Sequence, residues 1–179
     1  ESGVNYVVAV GTHVSALTNE VMREYPHLDA VARREYEYTI SELAKKIRTN
    51  GLQSNFNDVE GLSFRFKGQI IHNQDRQHID NLDKLPFVSR VYRDHFRPFL
   101  NAYFYGANLH PVVSILSGRG CPHRCAYCVY PQTMTGHRYR LRSVENVVDE
   151  LEFIKNELPE VREVFIEDDT LTVNKERVA

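Results

Sequence analysis

Residues 118–128, GRGCPHRCAYC, hold every cysteine of the chain, Cys121, Cys125 and Cys128, at the spacing C-x3-C-x2-C. Thiolates are soft ligands that suit zinc, copper(I) and iron-sulfur clusters, so three in one short loop point to a metal site. Iron-sulfur clusters ordinarily take one cysteine per iron, and a four-iron cluster on three cysteines keeps one iron open to a substrate or cofactor. Zinc is the competing metal, with His123 or His137 completing a Cys3His set, although structural zinc sites usually place their remaining ligands further away. A low-potential electron carrier would need a fourth thiolate, and a disulfide pair with one spare thiol fits an odd count poorly.

Working outward, residues 111–117 (PVVSILS) read as a buried strand that runs directly into the cysteine loop. Gly118 and Gly120 give that loop backbone freedom. Residues 131–142 read as a connecting loop in which Arg138, Arg140 and Arg142 alternate, so an extended backbone points all three to one side. They form either a solvated basic face or a contact for a carboxylate. Ser143 caps a helix running to residue 158, with Val144, Val147, Val148, Leu151, Ile154 and Leu158 as its apolar stripe and Pro159 as its stop. Residues 161–166 alternate as a second strand, followed by Glu167, Asp168 and Asp169. Three acidic groups at a strand end need a cation or hydrogen-bond donors, unless they serve as a helix cap and solvated loop. Strand, helix and strand make an α/β layer.

The cysteine triad with an aromatic residue, Tyr127, before its last member resembles the signature of the radical S-adenosylmethionine (SAM) enzymes. The resemblance implies a four-iron four-sulfur cluster on Cys121, Cys125 and Cys128, whose open iron chelates SAM. Reduction by a one-electron donor such as flavodoxin or ferredoxin then releases a 5'-deoxyadenosyl radical. It further implies that Tyr127, Glu167, Asp168 and Asp169 lie at the SAM site, the acidic run standing in for the Gly-Gly-Glu segment of other members. The fold implied is a partial (β/α) barrel, with the cluster loop at the C-terminal strand ends.

The front of the chain reads as strand (residues 5–11, buried on both faces), helix (19–25), strand (28–32) and helix (39–50). In the second helix Ile40, Leu43, Ala44 and Ile47 share a face. This stretch resembles the last third of the Rossmann-like cobalamin (B12)-binding domain that precedes many radical SAM barrels. There a Gly-Gly-x-His turn and a Gly-Glu-x-Glu segment border the cobalamin. The matching residues are Val10-Gly11-Thr12-His13 and Arg34-Glu35-Tyr36-Glu37, with bulky side chains where glycines are expected. Gly11 and His13 are thus the implied cobalamin contacts, with His13 alternatively a polar residue closing a strand. Residues 62–66 and 69–72 flank Lys67-Gly68 as a hairpin, and residues 73–108 read as a linker without regular structure. Asp83-Lys-Leu-Pro-Phe87 resembles the segment leading into the barrel. The expected division is 1–51, the end of the cobalamin-type domain; 52–108, hairpin and linker; and 109–179, the start of the radical SAM domain.

The chain has 179 residues, 42% hydrophobic and 26% charged, with a formal charge of -2. That balance reads as globular and gives no general attraction to nucleic acid. It argues against a transfer-RNA methylthiolating member of the same superfamily, which would need an RNA-binding surface. No apolar run is long enough to span a membrane. The opening ESGV and closing RVA read as cuts in a longer protein, and unprotected thiols with a reducible cluster favour the cytoplasm. Residues 129–140 and 167–170 look closest to the branch associated with hopanoid lipid biosynthesis, implying a radical rearrangement in head-group synthesis on a lipid-linked or small-molecule substrate. Cobalamin-dependent methyl transfer is the alternative within the family, and a zinc-binding module without enzymatic activity is the alternative outside it.

Overall fold

A computed structural model of the chain describes residues 4–179; residues 1–3, the start of the expected 1–51 domain, lie outside the described residues. The chain divides into two compact units, residues 1–79 with 123–137 and residues 80–122 with 138–179. No helix among the described residues is long and apolar enough to cross a membrane.

The first unit is built on a four-stranded sheet. Its elements are β1 (Val8–Val10), α1 (Thr12–Ala16), α2 (Thr18–Glu24), β2 (Ala30–Ala32), α3 (Glu37–Asn50), β3 (Leu62–Phe66) and β4 (Gln69–His72). The sheet order is β1-β2-β3-β4, with β1 parallel to β2 and the other pairs antiparallel. Side chains alternate across a strand, and β2 shows the consequence. Ala30 joins Leu43, Phe56, Val59, Leu62 and Phe64 in one core, while Val31 packs with Val21, Met22 and Leu28 in another. The sheet is therefore covered by α3 on one face and by α2 on the other. The β3–β4 hairpin forms as its sequence predicts, because Lys67 and Gly68 both take positive φ, as a primed two-residue turn requires.

Three expectations need correction here. Residues 5–11 are not a strand buried on both faces: β1 is three residues long and, among the described residues, pairs only with β2, leaving Val7 and Val10 exposed. In α3 the buried positions are Thr39 and Leu43, whereas Ala44 is exposed. The Thr39 hydroxyl donates to the Glu60 carbonyl at 2.9 Å, which makes its burial tolerable. Finally, residues 73–108 are not irregular throughout. They hold helical turns at Leu82–Lys84, Tyr92–Phe96 and Arg97–Ala102, and a short helix, α4 (Val88–Val91). Each turn is too short to give a readable period, and packing of Leu100 and polar anchoring of Ser89 fix them instead.

The second unit continues with β5 (Val112–Ile115), β6 (Gly118–Arg119), β7 (Arg140–Leu141), α5 (Val144–Glu157), β8 (Glu163–Ile166) and α6 (Lys175–Val178). Strands β5 and β8 pair in parallel with α5 as the crossover, and β6 pairs antiparallel with β7. The Ser143 hydroxyl caps α5 by accepting from the Asn146 amide at 3.2 Å. Val147, Ile154 and Leu158 of the α5 region pack on Val113 and Ile115, but Val144 and Val148 face outward.

The alternating arginines are not a solvated basic face. Arg140 is buried, and the Arg142 guanidinium pairs with Glu150, which is 0% exposed. Glu150 also accepts from the Ser89 amide at 3.1 Å and the Ser89 hydroxyl at 2.9 Å. Only Arg138 stays largely at the surface, where it pairs with Asp80.

Candidate metal centre

The root of the cysteine loop is tied down group by group in the second unit. The Ser117 amide donates to Asp168 Oδ1 at 2.6 Å, and the Ser117 hydroxyl donates to Asp168 Oδ2 at 2.6 Å. The Leu116 carbonyl accepts from Arg142 at 2.8 Å, and the Ser117 carbonyl accepts from the Arg142 amide at 3.0 Å and from Arg177 at 3.1 Å. The next residue, Gly118, admits no side chain, since a Cβ there would lie 2.7 Å from the Tyr139 ring. The loop thus leaves the C-terminal end of β5 from a fixed point.

Two members of the acidic run after β8, Asp168 and Glu167, accept hydrogen bonds from this scaffold. Tyr139 donates to Asp168 Oδ2 at 2.7 Å, and burial together with that carboxylate drives the phenol far above its ordinary pKa. Glu167 accepts from Tyr105 at 2.8 Å and from Ser114 at 2.9 Å. The Tyr105 phenol is raised in turn, first by its hydrogen bond to Glu167 and then by burial. Asp169 is exposed. Glu167, Asp168 and Asp169 therefore stand at the strand ends, as the sequence suggests. Sequence reasoning missed that Asp168 binds the root of the loop; a serine at a strand end facing an acidic run was the available signal.

Among the thiols, Cys121 and Cys128 are half-buried and Cys125 is exposed, and none is in a disulfide. The Cys128 amide donates to the Cys125 carbonyl at 3.1 Å, so these two share one tight turn. Tyr127 is 89% exposed, and the neighbouring Cys125 thiolate raises its pKa. Among the described residues no three His, Cys, Asp or Glu side chains are already gathered for a metal ion. The donor chemistry is what fits: three soft thiols outside any disulfide in one loop and no fourth cysteine suit a cluster with one open iron. His123, the alternative zinc ligand, is exposed, and His137 is half-buried.

Residues 115–179 match the Radical SAM superfamily. This part of the chain is a radical SAM domain. A radical SAM domain is an enzyme domain, and its cofactors are a four-iron four-sulfur cluster and SAM. Over 172 residues the chain is 33% identical to an uncharacterised methyltransferase of Pyrococcus horikoshii, covering 96% of this chain and 35% of that protein. It is 26% identical over 147 residues to the anaerobic magnesium-protoporphyrin IX monomethyl ester cyclase of Cereibacter sphaeroides, covering 82% of this chain and 23% of the cyclase. The chain thus spans about a third or less of these curated relatives.

The fold is similar to that of cobalamin-dependent radical SAM enzymes. OxsB, solved with aqua-cobalamin and SAM bound, superposes with a TM-score of 0.67 at 20% identity, over 92% of this chain and 21% of OxsB. TsrM from Kitasatospora setae, solved with cobalamin and a four-iron four-sulfur cluster, gives 0.64 at 19% identity, over 96% of this chain and 32% of TsrM.

The residues matched to the edge of a cobalamin site lie in the first unit. Gly11 ends β1 with φ 110°, has open space where a side chain would stand, and leads into α1, where His13 is exposed. Such a turn fits close approach by a ligand. Arg34 occupies the position where the resembling segment carries glycine, and it takes a left-handed φ of 58°. Its amide donates to the Ser15 hydroxyl at 3.0 Å and its side chain pairs with Asp75 at 3.1 Å. Glu35, buried, accepts from the Ile79 amide at 2.8 Å.

Proposed function

We propose that this chain carries the cluster- and SAM-binding start of a radical SAM methyltransferase, preceded by the edge of its cobalamin-binding-type domain. The observation that carries the reading is the triad of thiols outside any disulfide, Cys121, Cys125 and Cys128, leaving a fixed strand end inside a segment that matches the Radical SAM superfamily. Division at residues 51 and 108 accompanies this reading, with the β3–β4 hairpin extending the first sheet.

When bound, the cluster supplies the electron that splits SAM, and the protein's part is to position and shield. Asp168, Arg142 and Arg177 hold Leu116 and Ser117 so that the thiols start from a fixed point. Pre-organised ligands reduce the ordering that binding demands. Tyr127 lies beside the thiols, and Glu167, Asp168 and Asp169 offer acceptors for the SAM amino group at the strand ends. Gly11 and His13 border the space for cobalamin. A flavodoxin or ferredoxin would supply the electron, and the substrate is a small or lipid-linked molecule.

Methyl transfer is favoured over the hopanoid head-group rearrangement because the first relative above is a methyltransferase and none of those named is a hopanoid enzyme. The test is product analysis of the intact protein, loaded anaerobically and reduced in the presence of methyl-labelled SAM. Methyl transfer requires S-adenosylhomocysteine and label in the acceptor. Formation of 5'-deoxyadenosine alone, with no S-adenosylhomocysteine, would return the assignment to a rearrangement.

A further inference from the structure

We propose that residues 131–136 form a latch that fixes the Cys125–Cys128 turn to the first unit, with His78 as its positioning residue. The run begins at Pro131, after Val129 and Tyr130 have followed the third cysteine. The Thr133 amide and hydroxyl donate to the Val129 carbonyl at 3.1 and 2.8 Å, and the Gly136 amide donates to the Pro131 carbonyl at 2.8 Å. Together with the Cys128-to-Cys125 bond, this makes residues 125–136 nearly continuous in local hydrogen bonding. Pro131, Met134 and Thr135 bury their side chains, whereas Cys125 and Tyr127 remain exposed.

Three contacts hold this run in place. His78 Nε2 donates to the Met134 carbonyl at 3.1 Å. The Ser15 hydroxyl of α1 lies 3.8 Å from Met134 Sδ, and that same serine donates its amide to Gly11. Gly136 has φ 75°, and a Cβ there would stand 2.8 Å from His78 Cε1, so the imidazole packs where only glycine leaves room. The turn carrying the last two thiols is thus secured by the element that follows the Gly11 turn. Holding a metal-ligating side chain from behind governs how readily its site forms and opens. The inference rests on the proposed function only in taking Cys128 as a cluster ligand.

The experiment is site-resolved alkylation of the metal-free protein by iodoacetamide, read by peptide mass spectrometry. Losing one hydrogen bond shifts a local opening equilibrium by about threefold to tenfold. His78→Ala is therefore expected to speed Cys128 alkylation by that factor while leaving Cys121 unchanged. His78→Gln, which keeps a donor, is expected to restore the slower rate. Gly136→Ala reaches the same contact from the other side and should behave like His78→Ala. An unchanged Cys128 rate in both variants would overturn the latch. So would an equal rise at Cys121, which marks general loosening, or a His78→Gln protein as fast as His78→Ala. Iron uptake by the wild-type protein is scored separately: its failure would remove the functional reading and leave the alkylation pattern as it stands.

Discussion

The Tyr6 hydroxyl is buried against Phe56 without a hydrogen-bond partner among the described residues, and burial, helped by the Asp29 carboxylate, pushes its pKa up to about 12. A buried hydroxyl left unpaired forfeits roughly 1–3 kcal/mol of hydration. Tyr6→Phe is accordingly expected to leave stability unchanged or raise it by about 1 kcal/mol, read as the midpoint of urea unfolding. The pH dependence has a definite sign. The phenol ionises near 10 in the unfolded chain and higher in the folded one, so stability falls as pH rises through 10 towards 12. Tyr6→Phe should remove that part of the alkaline loss. At this scale the sequence is legible where a residue type carries its own chemistry, as at Cys121, Cys125 and Cys128. Arg34 lies at the margin. Its left-handed backbone could be anticipated from a glycine expected at that position, but not from arginine itself. His78 carries no signal at all, because its partners come from residues 134 and 136, more than fifty positions away.

Among the elements, α5 is anchored by a buried acid, and that acid decides its response to mutation. Glu150 satisfies Ser89 twice and neutralises Arg142, so removing it strands a cation and two donors. Glu150→Ala is expected to cost about 3–5 kcal/mol, seen in a thermal melt. In the first sheet, His72 of β4 bridges Ser63 and Asn19 at 2.8 Å each. Burial, with Arg33 and Arg23 nearby, lowers its pKa below the ordinary 6.5. The unfolded chain therefore binds the proton first as pH falls. The stability this histidine contributes is complete above 6.5 and is lost as the pH drops through the folded value. A melt series from pH 8 to 5 should show this decline, and His72→Gln should flatten it. The hairpin and α5 were readable because turn residues and a 3.6-residue apolar stripe announce them. Glu150 was not, since an acid inside a helix reads as solvent-facing until its partners from residues 89 and 142 are known. The helical turns of residues 82–102 were hidden for a related reason: none is long enough for a 3.6-residue period to repeat.

For the whole molecule, the α/β class and the position of the cysteine loop at a strand end follow from the order of elements. The assignment of residues 123–137 to the first unit does not, because it depends on the docking of Met134 and Gly136 rather than on any composition shift. The central claim is that the three thiols hold an iron-sulfur cluster with one iron left for SAM. Anaerobic reconstitution, with iron and sulfide analysis and electron paramagnetic resonance of the reduced protein with and without SAM, tests it most directly. Iron and acid-labile sulfide are expected in equal amounts, with a spectrum that changes when SAM is added. The cluster should be lost in Cys121→Ala, Cys125→Ala or Cys128→Ala and kept in His123→Ala. Zinc without sulfide, with the metal lost in His123→Ala as in the cysteine variants, would contradict it.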